Sequence, residues 1–347
     1  MATIKDVARK AGVSTATVSR VLNRRGYFDR ETAGLVRRAA TELGYRPNVN
    51  WKRLSRQSSE TVCYLLGNSD TMNSMHVKVL MSAEQVLREA GYDLVFVPFC
   101  YRAGVRGTQL ELPRLLQQQG TVDGVILAGV HYTNLLDALS RLNLPYVLLG
   151  NAFAGPKEKL RWDAVVYDDI GGSYEAVNYL VRLGHRRIAY VGNIALPWFR
   201  RRYEGYARVM RERELPEILV AEGWDVSNIE YGQLAVPALL GHSEPVTAVF
   251  AANDPIAAGI WRELLKRGIL VPRDISLCGF GDREEFSIIE PSLTTVSVFQ
   301  EKLGAEIASM LLRRLGKPGA HVSPQTFPCK LLERASCAAP SGAPSRP

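Results

Sequence analysis

No stretch of this 347-residue sequence stays apolar for the roughly 18 residues that a membrane-spanning helix needs. The opening Met1-Ala2-Thr3-Ile4-Lys5-Asp6-Val7 lacks the apolar segment of a secretory signal, so a cytoplasmic protein is expected. Cysteine is scarce. Five occur, at 63, 100, 278, 329 and 337, with no CxxC and no Cys/His cluster. That excludes a disulfide framework and a zinc site, and no metal or cofactor is expected. No P-loop, nucleophile elbow, HExxH or strand-borne GxGxxG appears, which leaves little for an enzyme to work with. What is there, 46% hydrophobic and 22% charged residues, suits a globular chain of two or three compact units.

The net charge of +8 is unevenly placed. Residues 1–59 carry 13 Lys and Arg against 4 Asp and Glu; residues 60–347 carry 30 against 31. A basic head on a neutral body fits a polyanionic partner. Helix signals are dense in that head. Thr3 caps a first helix over Ile4–Ala11, with Ile4, Val7, Ala8 and Ala11 at helical spacing. Gly12 breaks it, and Ser14 is placed to cap a second helix over 15–23. Val18, Val21 and Leu22 would face inward, and Thr15, Ala16, Ser19 and Arg20 outward. A third helix starts at Asp29 or Thr32 and runs to Leu43, before Gly44. Three short helices with one tight glycine turn suit a DNA-reading head whose second helix would enter the major groove; a helical bundle that only packs is the plain alternative. Thr15 and Ala16 are small enough to approach bases, Arg20 can pair with guanine, and the hydroxyls of Ser14, Thr17 and Ser19 suit phosphates.

The string IKDVARKAGVSTATVSRVLN, followed by ELGYRPN, resembles the lactose/purine repressor family. The resemblance implies that Thr15, Ala16 and Arg20 read bases, with Asn23 beside them. It implies a hinge around Asn48–Arg56 that becomes helical on the operator, and a minor-groove wedge at Leu54; an ordinary linker leucine is the plain alternative. Trp51 departs from the alanine usual in that hinge, and Tyr27-Phe28-Asp29 from a more typical Val-Ser. The expected division is a helix-turn-helix head (1–46), a hinge (47–59), an effector-binding and dimerisation core (60–337) and a disordered tail (338–347). The small, proline-rich composition suggests disorder from as early as Ala335.

From residue 60 onward short apolar runs alternate with amphipathic stretches. Strands are expected at 62–66, 94–98, 124–128, 146–149, 165–167, 188–191, 218–221, 248–251, 275–278 and 294–298. Helices are expected at 77–90, 172–183, 202–212 and 255–267. Such alternation predicts parallel sheets covered by helices. GGSYEAVNYLVRLGHRRIAYVG (171–192) and AANDPIAAGIWRELLKRGILVPRDISLCGFGD (251–282) resemble the same family. The fold class is thus a small all-α helix-turn-helix head plus an α/β, two-lobed periplasmic-binding-protein-like (type I) core with parallel sheets. The lobes implied are 60–162 with 292–322, and 163–291 with 323–337. His185 reads as a helix-end cap.

Ligands of such sheets bind at the carboxyl ends of the strands. Effector contacts are expected there: the resemblance implies Met75 and His76, where many relatives carry Asn-Pro-Phe-Phe, and Arg202, where relatives meet a polar or anionic effector and a merely solvated arginine is the plain alternative; Asn151 joins them. Trp224, a platform for a sugar face, Asn253, Asp254 and Asp282 complete the set. His76 also reads as a plain helix-start residue, and Asn253-Asp254-Pro255 as a cap. Relatives place an acid directly after Gly-Phe/Tyr; here Gly281 takes that place and the acid follows at Asp282. Gly-Phe-Gly-Asp resembles the gluconate-type repressors, and with Arg202 it favours a sugar acid over a neutral sugar or purine. The implied partners are a palindromic double-stranded operator, a small effector and a second copy of the chain. The tail lacks the leucine heptads of a tetramerising coil. A solute receptor or a sugar-acting enzyme on the same core is the alternative. The sign of the effector response, induction or corepression, is open.

Overall fold

The computed structural model describes residues 2–22, 28–45, 58–68, 73–155, 163–288, 290–317 and 324–340. Asn23, Asn48, Trp51 and Leu54, with most of the expected hinge and the last residues of the tail, lie outside them. The chain divides into two compact units, Met1–Ser59 and Glu60–Pro347.

The first unit contains helices α1 (Ile4–Ala11), α2 (Thr15–Leu22) and α3 (Arg30–Glu42). Thr3 and Asp6 form a reciprocal capping box on α1, which satisfies two N-terminal amides at once. Gly12 ends α1 at φ 66°, a left-handed conformation that glycine adopts without steric cost, and so sets the tight turn into α2. The amide of Thr17 donates to Ser14 Oγ at 3.1 Å, capping α2. Asp29 caps α3 through the amide of Thr32. Val7, Val18, Val21 and Val36 are essentially inaccessible and knit the three helices into one small core.

The second unit has two main parallel sheets. The six-stranded sheet runs in the order β11-β5-β4-β3-β1-β2, with β1 Thr61–Gly67, β2 Asp93–Phe99, β3 Gly124–Gly129, β4 Tyr146–Leu149, β5 Ala164–Tyr167 and β11 Gln325–Phe327. The four-stranded sheet runs β7-β6-β8-β9, with β6 Ile188–Val191, β7 Ile218–Val220, β8 Ala248–Ala251 and β9 Ser276–Cys278. β1, β3, β4, β6, β8 and β9 are buried or nearly so along their whole length, as strands covered on both faces are. A small antiparallel ribbon of β10 (Thr295–Ser297) and β12 (Lys330–Leu332) is the exception to the expected parallel pairing.

The covering helices are α4 (Ser74–Glu89), α5 (Arg114–Gln117), α6 (Thr133–Arg141), α7 (Asp169–Arg182), α8 (Pro197–Glu212), α9 (Asn228–Leu240), α10 (Asp254–Lys266) and α11 (Gln300–Gly316). α9 and α10 pack with backbones touching. A Cβ on Gly232 or Gly259 would run into the carbonyls of Ile256 and Ile229 respectively. We expect Gly259→Ala to destabilise this unit by roughly 1–3 kcal/mol through overpacking. A urea midpoint unchanged in that variant would show that the two helices can separate freely.

The lobe boundaries need correction. Ala164–Tyr167 pairs with β4, Leu148 opposite Ala164, and so stays with the first sheet. The chain changes lobes at Asp168, which caps α7 by accepting from the amide of Gly171. On the return, Thr294 bridges to Cys278, so residues 292–298 lie along β9 and not with the first sheet. β11 rejoins the first sheet, and β12 returns to β10.

The tail is also corrected. Ser336, fully buried, accepts the amide of Leu277 on its carbonyl, and the amide of Ala338 donates to Ser276 Oγ. Residues 335–338 therefore continue the edge beyond β9. His185 is more than a helix-end cap: its ring bonds Thr247 Oγ1 at 3.0 Å, Ser276 Oγ at 3.0 Å and the carbonyl of Ala338 at 2.9 Å.

Candidate functional site

On the head, Thr15, Ala16 and Arg20 are exposed on one face of α2, while Val18 and Val21 are buried opposite. Ser14 and Thr17 share a hydroxyl–hydroxyl hydrogen bond of 2.9 Å. Two hydroxyl protons serve one such bond, so the pair retains a donor for a phosphate oxygen. Ser19 is partly buried beside them.

In the second unit a cavity of ≈ 300 Å³ opens where the carboxyl ends of both sheets meet. Its wall takes Asn68 after β1, Gly129 and Val130 at β3, Leu149 and Asn151 at β4, Tyr167 at β5, Asn253 after β8, and Phe280, Gly281 and Arg283 after β9. The sheet orders explain the place. Strand order reverses direction between β1 and β3 and between β6 and β8, and crevices open at such switch points. The amino ends of α4, α8, α9 and α10 also reach the wall, through Met75 and His76, Trp198 and Phe199, Asn228, and Asn253.

Of the residues expected at the effector site, Met75, His76, Asn151, Arg202 and Asn253 line this one cavity. Trp224, Asp254 and Asp282 do not. Trp224 packs edge-on against Tyr231, with ring centroids 5.0 Å apart, and is held away from the wall. Asp282 sits at φ 51°, which turns its carboxylate to Arg334 at 2.7 Å. Asp254 is buried beneath the wall. Its carboxylate accepts from Thr295 Oγ1 and, at 2.8 Å, from the amide of Arg283. Burial holds its pKa above the usual carboxylate range. Asp254 thus shapes the loop that carries Arg283. Arg283, Trp198, Phe199 and Asn68 were not anticipated. Trp198 and Phe199 follow Pro197 at the start of α8, and a proline at the first turn was a legible sign of an earlier helix start.

Arg202 is not a free clamp. Its Nε donates to Asp169 Oδ1 at 2.9 Å, Nη1 to the carbonyl of Ala252 at 2.6 Å, and Nη2 to Tyr167 Oη at 3.1 Å. The guanidinium also lies 3.9 Å from the Phe280 ring centroid. Arg201 takes the other Asp169 oxygen at 2.8 Å and the carbonyl of Asn151 at 2.6 Å. The amide of Asn151 is spent bridging Tyr167 and Asp169. Asn151 and Tyr167 belong to the first lobe, and Asp169, Arg201 and Arg202 to the second. One carboxylate therefore holds two guanidinium groups at the crossing between lobes. Asn253 Oδ1 caps α10 through the amide of Ile256, leaving Nδ2 for a ligand.

Two histidines sit near the first-lobe wall. His76 Nδ1 is buried without a partner among the described residues, and burial, aided by Arg283, pushes the ring down to about 4. His131, fully buried, bonds the carbonyl of Ala128 through Nε2 at 2.7 Å, and burial pushes it likewise down to about 4. The unfolded chain, with histidine near its usual value of about 6.5, takes up protons first as the pH falls. Stability from the neutral His131 ring is therefore full above about pH 6.5 and is lost as the pH falls toward 4. We expect a loss on the order of 3 kcal/mol in urea unfolding between pH 7.5 and 4.5. His131→Phe should remove this share of the slope and leave that of His76, whose ring is shifted alike; a slope as steep as the wild type's would assign the loss elsewhere.

Comparison with known proteins places these features. The model for bacterial regulatory proteins of the lacI family matches residues 3–48, and that for the periplasmic binding protein-like domain matches 177–337. The transcriptional regulator RegA of Clostridium saccharobutylicum is 33% identical over 339 residues, 96% of this chain and 98% of RegA. The transcriptional repressor CytR of Escherichia coli K12 is 29% identical over 341 residues, 96% of each. Among solved structures, the Lac repressor bound to ONPG in its repressed state superposes with TM-score 0.79 at 26% identity, over 96% of this chain and 99% of that one. A LacI-family regulator of Enterococcus faecium with bound ribose gives TM-score 0.68 at 26% identity, over 80% of this chain and 99% of that one. Among the described residues no helix is long and apolar enough to cross a membrane. The chain belongs to the lacI family of bacterial regulatory proteins.

Proposed function

We propose that the protein is a cytoplasmic, homodimeric repressor that binds a palindromic operator and is controlled by a sugar or sugar acid held in the cavity of its core. The observation that carries the effector half is the coincidence of a ligand-sized cavity with the Asp169 cluster that ties the two lobes together. A ligand that binds one lobe arrangement better than the other shifts the population between them, and the hinge couples that shift to DNA. Support for the DNA half comes from the exposed Thr15, Ala16 and Arg20 on α2 and from the basic surplus of residues 1–59. Regulation, not catalysis, is the role of the relatives RegA and CytR. The Lac repressor, which shares the fold and is seen as a dimer on its operator, supports a two-fold pairing.

Arg20→Ala tests the DNA half. Loss of a bidentate guanine contact is expected to cost roughly 1–3 kcal/mol on the selected operator and to relax preference at one base pair. Fluorescence anisotropy with operator and scrambled duplexes reads this directly. Equal weakening on both duplexes would make Arg20 a phosphate contact and remove it from base reading.

A further inference from the structure

The cavity wall is unusual in its charges. Among the described residues it carries Arg202, Arg283, His76 and five asparagines (68, 73, 151, 228 and 253), and no aspartate or glutamate. Arg202 is answered by Asp169 at 2.9 Å, with both side chains almost wholly buried. Arg283 is not answered in that way. Asp254 accepts its backbone amide and acts on the guanidinium only from a distance, without an ion-pair contact. Among the described residues the guanidinium has one ion-pair partner, Glu285 at 3.8 Å, and that carboxylate is 37% exposed. Among the described wall residues Arg283 is therefore the cation that lacks a close, buried carboxylate. Across the same wall His76 presents a buried ring nitrogen without a partner among the described residues.

Gly281 keeps this end open. It stands at φ 128°, and a Cβ built there would lie 3.5 Å from Asp254 Oδ2 and 3.8 Å from Arg283 Cγ. A carboxylate at position 281 would neutralise Arg283; with glycine the charge stays available to a ligand. A half-buried guanidinium with only a distant partner gains most from an oxyanion that accepts two of its N–H groups. Asn73 and Asn253, whose Oδ1 atoms cap helices, keep their Nδ2 donors for hydroxyls, and Trp198, Phe199, Met75 and Leu196 are among the apolar part of the wall. The cavity's ≈ 300 Å³ suits a monosaccharide-sized ligand.

We infer that the Arg283–His76 end of the cavity is an oxyanion subsite, and that the effector is a monosaccharide-sized polyol bearing a carboxylate or phosphate group. This rests on the effector cavity proposed above, and moves the recognition of charge from Arg202 to Arg283.

The test is isothermal titration of the full chain at low salt with hexonates, hexose phosphates and the matching neutral hexitols and hexoses. At least one charged compound is expected to bind ten-fold or more tighter than its neutral counterpart. Whether it is a hexonate or a phosphate identifies the oxyanion. Arg283→Gln should weaken that compound roughly 10- to 100-fold, as loss of charge-assisted hydrogen bonds does, and weaken its neutral counterpart far less. Arg283→Lys should restore part of the affinity, and His76→Gln should show a smaller loss. A wild-type preference for a neutral sugar overturns the oxyanion subsite and leaves the effector cavity standing. Undiminished anion binding in Arg283→Gln overturns it too. Silence of the whole panel overturns both readings.

Discussion

Asp169→Asn is expected to destabilise the effector-binding unit by about 3–5 kcal/mol in urea unfolding, because it leaves two buried guanidinium groups without a counter-charge. The Asp169 side chain is inaccessible, and those of Arg201 and Arg202 are 10% and 6% exposed. Water therefore cannot replace the lost carboxylate. Asparagine keeps the volume and one acceptor, but turns an amide donor toward a donor, so the loss reports charge and pairing rather than a cavity. Adding Arg201→Gln should recover part of it, since one orphaned cation goes with the mutation. A loss below about 1 kcal/mol would place the cluster with weak surface ion pairs. The cluster spans both lobes, so the variant should also bind its effector with altered affinity even where the cavity wall is unchanged.

With the minor-groove wedge that we propose at Leu54, Leu54→Ala is expected to lower specific operator affinity on the order of 100-fold, roughly 3 kcal/mol, since an apolar wedge unstacks the central base step. Binding to unrelated duplex should change little, since the 13 Lys and Arg of residues 1–59 supply that phosphate-driven term. Anisotropy titrations at one fixed salt concentration separate the two. Equal losses on operator and unrelated duplex would return Leu54 to the status of a linker residue.

Much of the fold was legible because its signals are local. Thr3, Gly12 and Asp29 announce helix ends through capping and left-handed turns, and the structure carries each of them. The buried strands read as continuous apolar runs. What escaped was set by distant partners. β11 and β12 are three residues each, partly exposed and separated by Pro328-Cys329, so neither period nor composition marks them. Residues 335–338 read as a loose tail because nothing in Ala-Ser-Cys-Ala states that Leu277 and Ser276 wait for their backbone and hydroxyl partners. The cavity divides in the same way. Asn253 and His76 follow from helix starts after strands, which sequence marks. The difference between Arg202 and Arg283 depends on which guanidinium finds a buried carboxylate, and Asp169 lies 33 residues from Arg202 along the chain. Asp282 was chosen for its charge, but its backbone turns it to Arg334.

The central claim is that one chain reads a symmetric DNA site and changes its affinity when a small molecule fills the core. The direct measurement is selection of full-length protein on randomised duplexes, followed by titration of the enriched site with and without the compound that binds the cavity. Enrichment of a two-fold symmetric site, and a shift of ten-fold or more in its affinity on addition of that compound, is the predicted result. Failure to enrich any symmetric site, or an operator affinity that ignores a compound bound in the cavity, would contradict it.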